Sequence, residues 1–148
     1  MNEMENKLSK RLADIVDALP LNKDIRVLEI GCGPGAAARE IAKRIGDGHI
    51  LAIDRSSKAI KQAIKTSKDE ITSGHLSFKQ VRIEDFELQK DEKPFDIAFA
   101  IRVGALDGRH PDLEKQALTK IANALTKNGK LFIDGGNPLK EISLAKYK

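Results

Sequence analysis

Residues 25–36 read Ile25-Arg-Val-Leu-Glu-Ile30 and then Gly31-Cys-Gly-Pro-Gly35-Ala36. The first half is a short, largely apolar run, as expected of a strand buried on both faces. Three glycines in five positions then let the backbone turn sharply and approach a ligand closely. Alanines 36 to 38 open a helix whose inner face continues through Ile41 and Ile45, until Gly46-Asp-Gly48 breaks it. A helix that starts directly after such a loop offers unpaired N–H groups to an anionic group above it.

Working outward, the same alternation of strand and helix recurs. Leu8, Leu12, Ile15 and Leu19 share one face of a first helix that Pro20 stops. A second strand, Ile50-Leu-Ala-Ile53, ends at Asp54, and Ser56 or Ser57 caps a helix burying Ala59, Ile60, Ala63 and Ile64. Gly74 precedes a third strand over 76–81. Phe95-Asp-Ile-Ala-Phe-Ala-Ile101 is a fully apolar fourth strand, apart from Asp96. Pro111 suits the first turn of a helix with Leu113, Leu118, Ile121 and Leu125 inside. Asn128-Gly129 is expected to end that helix before a fifth strand over 130–134, and residues 139–148 to form a short last helix. The predicted fold is a doubly wound, mostly parallel five-stranded Rossmann-like α/β sheet of order 3-2-1-4-5, with helices on both faces. Its ligand site belongs off the carboxyl ends of the strands, where the strand order reverses.

Composition narrows the function classes. The 148 residues suit one core, so a single domain over 1–148 is expected. With 41% apolar and 32% charged residues the chain is neither disordered nor fibrous. No apolar run approaches the roughly 20 residues that cross a bilayer, and the polar, mixed-charge stretch Met1–Lys10 is not a secretory signal. The single Cys32 permits no internal disulfide or multi-Cys zinc site, which points to a reducing cytoplasm. His49 and His75 flank strands without a partner at metal-ligand spacing, so no metal is expected. A net charge of +4 comes with only 4% aromatic residues, few for stacking on bases. Lys58, Lys61, Lys65 and Lys68 lie mostly opposite an apolar stripe, where they face water. A solvated basic surface is therefore favoured over a nucleic-acid site.

Gly31, Gly33 and Ala36 satisfy the dinucleotide pattern Gly-x-Gly-x-x-Ala. Asp54 stands nineteen residues past Gly35, at the end of the next strand, where a carboxylate accepts from two ribose hydroxyls. Glu29 decides between nucleotides. Two residues before the loop, its carboxylate repels a pyrophosphate at short range. It suits S-adenosylmethionine, which is net cationic through its ammonium and sulfonium groups.

The stretch Val27-Leu-Glu-Ile-Gly-Cys-Gly-Pro-Gly35 resembles the first motif of the class I S-adenosylmethionine-dependent methyltransferases, and the resemblance runs over roughly residues 5–137. It implies that Glu29, Gly31, Gly33 and Gly35 hold the methionine moiety of S-adenosylmethionine, or of its product S-adenosylhomocysteine. Asp54 matches the ribose-binding acid, with Arg55 beside the adenine face. Residues just past the fourth strand (Ala100, Ile101, Arg102) line the cofactor and face the acceptor, and Cys32 fills a variable loop position as packing. Two departures stand out. Where such proteins commonly show Gly-Asp-Ala, this chain has Val81-Arg-Ile83 and then Glu84-Asp85. Ile83 is left to offer its backbone N–H to adenine, and Glu84 or Asp85 to accept from the amino group. The family's closing pair of strands also has no sequence left after the fifth, whose exposed edge invites covering or a homodimer.

In-line displacement needs positioning more than acid–base help, so the lack of a catalytic dyad does not count against methyl transfer. Asp107 and His110 are the only candidate bases, and the loop-tip or cap reading is favoured for both. No Asn-Pro-Pro-aromatic sequence follows the fourth strand, which favours a small acceptor over a macromolecular one. Arg102 pairs either with an acidic small molecule or with a surface carboxylate. The competing functions are a non-catalytic S-adenosylmethionine-binding module acting through a partner and a nicotinamide-dependent oxidoreductase.

Overall fold

The computed structural model describes residues 8–148; residues 1–7 of the polar amino terminus lie outside the described residues. Helix α1 (Lys10–Ala18) is capped by Ser9, whose Oγ accepts from the Leu12 N–H at 3.2 Å. Strand β1 (Arg26–Ile30) leads through the glycine loop into α2 (Ala36–Ala42), one turn shorter than the apolar pattern suggested. Ile45 is still buried, but in the turn beyond that helix. Next come β2 (His49–Asp54), α3 (Ser57–Thr66), α4 (Lys68–Thr72) and β3 (Leu76–Gln80). Ser56 caps α3, its Oγ accepting from the Ala59 N–H at 3.1 Å. A short 3-10 turn at Ile83–Asp85 precedes β4 (Phe95–Ala100), and a second one at Gly104–Leu106 follows it. Helix α5 (Pro111–Ala124) then runs directly into β5 (Leu125–Asp134), and β6 (Leu139–Ile142) closes the sheet.

The strand order is β3-β2-β1-β4-β5-β6. The first five strands run parallel, and β6 is antiparallel to β5. Side chains alternate across each strand. Leu28, Ile30, Leu51, Ile53, Ala98 and Ala100 therefore pack on α5 through Leu118 and Ile121. Val27, Ile50, Ala52, Ile97 and Phe99 pack on α1 and α2 through Val16, Leu19, Ala38 and Ile41. The order reverses beside β1, so the cleft opens where β1 and β4 diverge.

Two expectations fail at the carboxyl-terminal end. Residues 139–148 are not a helix: Leu139–Ile142 pair antiparallel with β5, Leu131 opposite Ile142 and Asp134 opposite Leu139, and only a 3-10 turn at Ala145–Tyr147 follows. The turn decides this. A Cβ at Gly136 would run into the backbone carbonyl of Leu139, so glycine lets the chain fold straight back. The sheet has six strands rather than five, and the fifth-strand edge, expected to invite covering or a homodimer, is covered from within the chain. Asn128-Gly129, expected as a helix stop, instead lies within β5. Leu125 already pairs with Phe95, and the register jumps to Ile97 opposite Lys130, so residues 126–129 bulge outward.

Leu131 is fully buried where β5 meets both β4 and β6. Leu131→Ala should lower stability by about 2–5 kcal/mol. Urea denaturation should show a lower midpoint at an unchanged slope.

Candidate functional site

The turn after β1 is welded to the end of β2. The Gly31 and Cys32 N–H groups both donate to the Ile53 carbonyl, at 2.8 and 3.0 Å. Gly35 N–H donates to the Cys32 carbonyl at 3.1 Å. Asp54 completes the arrangement: Oδ2 accepts from the Gly33 N–H and Oδ1 from the Ser56 N–H, each at 2.8 Å. Pro34 has no N–H. The loop's own donors are thus spent internally, and what it presents to a ligand is a smooth glycine surface rather than a nest for phosphates. Gly31, at φ 76°, has to be glycine, because a Cβ there would stand 2.8 Å from Val103 Cγ2.

Beside this loop lies a cavity of about 440 Å³, within the range of small-molecule sites. Of the residues singled out in the sequence, Gly31, Asp54, Arg55, Ile83, Glu84 and Arg102 line it. Ile30, Ile53, Val81 and Leu113 give it apolar walls, and His110 and Arg109 stand at its far side. Gly33 and Gly35 shape the loop without lining the cavity. Cys32 is buried; its Sγ lies 3.5 Å from the Gly33 carbonyl, and burial pushes its thiol up out of the reactive range. Ile101 turns away and packs on the α1–α2 face.

Glu29 also sits on that face, beneath the loop, in register with Ala52 and Phe99. It is only 5% exposed. Burial, with the charge of Asp54 adding to it and that of Arg39 opposing it, raises its pKa to about 8. Near neutral pH it is therefore a neutral acid, not the preformed carboxylate that the sequence suggested. Its Oε1 has no hydrogen-bond partner among the described residues. Arg39, which sequence reasoning passed over, is buried in α2. Its Nη1 donates to the Pro34 carbonyl at 2.8 Å, to Thr66 Oγ1 at 2.9 Å and to Ser67 Oγ at 3.0 Å, tying the loop to the end of α3. Its Nη2 is unpartnered as well. An apolar helix face with one arginine in it was the available signal.

Of the two candidate bases, His110 lines the cavity, whereas Asp107 is taken by Arg109, whose Nε donates to Asp107 Oδ2 at 2.7 Å. That bond holds the Asp107 carboxyl below its ordinary value and leaves it a poor proton acceptor. Val103 and Arg109 escaped the sequence reading, since neither belongs to a motif and both are brought in by the turn after β4.

A family described as "Methyltransferase domain" matches residues 21–146. The chain belongs to this methyltransferase-domain family. The O-methyltransferase rstn1 of Aspergillus nomiae is 32% identical over 127 residues, covering 82% of this chain and 53% of that protein. A trans-aconitate 2-methyltransferase of Methylobacterium nodulans is 27% identical over 131 residues, covering 88% and 46%. The chain thus spans about half the length of these curated relatives. A solved S-adenosylmethionine-dependent methyltransferase of Thiobacillus denitrificans, in complex with S-adenosylhomocysteine, shares this domain's fold with a TM-score of 0.66 at 21% identity, over 86% of this chain and 48% of that one. Among the described residues of the domain, no helix is long and apolar enough to cross a membrane.

The raised pKa of Glu29 fixes a sign for pH dependence in the ligand-free protein. The folded state holds a proton that the unfolded chain releases near pH 4.5, so stability falls as pH rises from about 4.5 to about 8 and then levels off. Glu29→Gln removes the charge but keeps the shape. Its unfolding free energy should lack that decline, exceeding wild type by a few kcal/mol at pH 9 while matching it at pH 5. Urea titrations at the two pH values measure the difference.

Proposed function

We propose that this methyltransferase domain binds S-adenosylmethionine and transfers its methyl group to a small-molecule acceptor. The observation that carries the reading is the cavity with Gly31 and Asp54 on one wall, next to a loop whose N–H groups are already used. A dinucleotide needs those donors for its pyrophosphate. An amino-acid tail on adenosine needs close backbone approach and a carboxylate for its sugar, and both are present.

When bound, S-adenosylmethionine would supply an electrophilic methyl group for an acceptor's lone pair, with the carbon–sulfur electrons remaining on sulfur. The chain's own residues then do the positioning. Asp54 accepts from the ribose hydroxyls, sharing oxygens that already brace Gly33 and Ser56. Ile53, Val81 and Ile83 give adenine an apolar slot, with the Ile83 N–H and Glu84 at its polar edge and Arg55 over its face. Glu29 receives the ammonium of the methionine tail with the oxygen that now lacks a partner. Val103 packs over Gly31 at the edge of the cleft. The compartment we infer is a reducing cytoplasm, in keeping with the lone buried Cys32.

Calorimetry with S-adenosylhomocysteine tests the reading. Saturable binding is expected, and its absence at millimolar ligand would overturn it. Asp54→Ala should weaken binding by about 1–3 kcal/mol as two hydroxyls lose a charged partner. Glu29 adds an independent signature. Placing an ammonium against a protonated acid lowers its pKa, so binding at pH 7 should release up to about one proton. The enthalpy should then vary with the ionisation enthalpy of the buffer in wild type and not in Glu29→Gln. Equal enthalpies across buffers would remove Glu29 from the site.

A further inference from the structure

A second cavity, of about 410 Å³, opens off the carboxyl ends of β4 and β5 and shares Arg102, Val103, Gly104 and Arg109 with the first. Its charged groups are Arg102, Arg109 and Lys140 against Asp107 and Asp134. Both carboxylates are already committed. Asp107 is bonded to Arg109, and Asp134 Oδ2 accepts from Arg11 Nη2 at 3.1 Å while its Oδ1 accepts from the Arg102 backbone N–H at 3.2 Å. The Arg102 and Lys140 side chains have no carboxylate partner among the described residues. Arg102 also stands at φ 58°, a left-handed conformation that costs a residue with a side chain on the order of 1 kcal/mol. The Asp134 bond to its N–H pins that conformation. Strain held in this way, at the junction of two cavities, is typical of ligand clamps.

The geometry points to an acceptor that carries an oxyanion, a carboxylate or a phosphate, held in the second cavity by Arg102 and Lys140. This inference rests on the methyl-transfer reading of the first cavity. A guanidinium takes such a group through two parallel N–H bonds, and a lysine adds a point charge. The two committed carboxylates neutralise Arg109 and Arg11, so the second cavity's unpaired positive charge among the described residues is that of Arg102, where the cavities meet, and of Lys140. An acceptor gripped by its anionic end at Arg102 turns its other end toward the cavity that Gly31 and Asp54 line.

The test is an NMR titration of the isotope-labelled protein saturated with S-adenosylhomocysteine, with citrate as polycarboxylate, inorganic phosphate as phosphoryl probe and glycerol as uncharged control. Saturable shifts at the amides of residues 102–104 and 139–141 are expected with at least one anion and not with glycerol. Whichever anion saturates assigns the oxyanion. Arg102→Gln and Lys140→Gln together should weaken that binding at least tenfold, Arg102→Lys less, and the remote Lys58→Gln not at all. Failure of S-adenosylhomocysteine to bind defeats the cofactor reading and the inference with it. Normal S-adenosylhomocysteine binding without saturable anion shifts, or with equal weakening in Lys58→Gln, defeats the inference alone.

Discussion

The site depends on one junction, where the Ile53 carbonyl accepts from two successive N–H groups, those of Gly31 and Cys32. That bond pair extends the β1–β2 ladder past the end of β1 and forces the chain to leave the sheet at Gly31. It also sets Asp54, the next residue of β2, against the loop, where its carboxylate takes the Gly33 N–H. Parallel pairing on both sides of β1 supplies the rigidity, since Ile30 is in register with Ile53 and with Ala100. The cleft is therefore a consequence of strand order. β4 returns to the opposite side of β1, and the turn that follows it has to cross the glycine loop, which puts Val103 on Gly31.

Around that junction the molecule tolerates two polar atoms that buried structure normally does not. Glu29 Oε1 and Arg39 Nη2 are both buried and unpartnered among the described residues. Leaving such a group unmet costs about 1–3 kcal/mol. Both lie close to the loop: Arg39 grips the Pro34 carbonyl, and Glu29 stands in β1 two residues before Gly31. A buried acid raised to about pH 8 is a group whose charge depends on what binds beside it. The domain is thus strained in the same place where it is most constrained.

Much of this was legible in the sequence because the informative residues are local. An apolar run, three glycines and a run of alanines specify a strand, a turn and a helix with no need of tertiary contacts. Asp54 at the next strand end follows from the same spacing, as does the Ser56 cap. What the sequence hid depends on distance in the chain. Arg39 meets Thr66 and Ser67, residues whose place beside it only the packed fold determines. Ile101 and Arg102 are neighbours in sequence, yet Ile101 packs half-buried against the α1–α2 face while Arg102, at a left-handed φ, lines both cavities. Gly135-Gly-Asn-Pro138 was a readable turn signal. The strand after it, Leu139-Lys-Glu-Ile142, is four residues long and does not alternate apolar with polar, so nothing in it marks a strand.

Charge is distributed unevenly along the cleft, and the unevenness has a direction. At the β1–β2 end stand Asp54 and Glu84; at the β4–β5 end stand Arg102 and Lys140, neither paired with a carboxylate among the described residues. A uniform field would attract ligands of one sign and orient none of them. On the proposed reading, a graded one suits a cationic donor at the acidic end and an anionic acceptor at the basic end. Local pairing leaves that contrast intact, because Asp134 is held by Arg11 from outside the cavity and Asp107 cancels only Arg109. Approach along a fixed line is what methyl transfer requires of a protein that contributes mainly geometry.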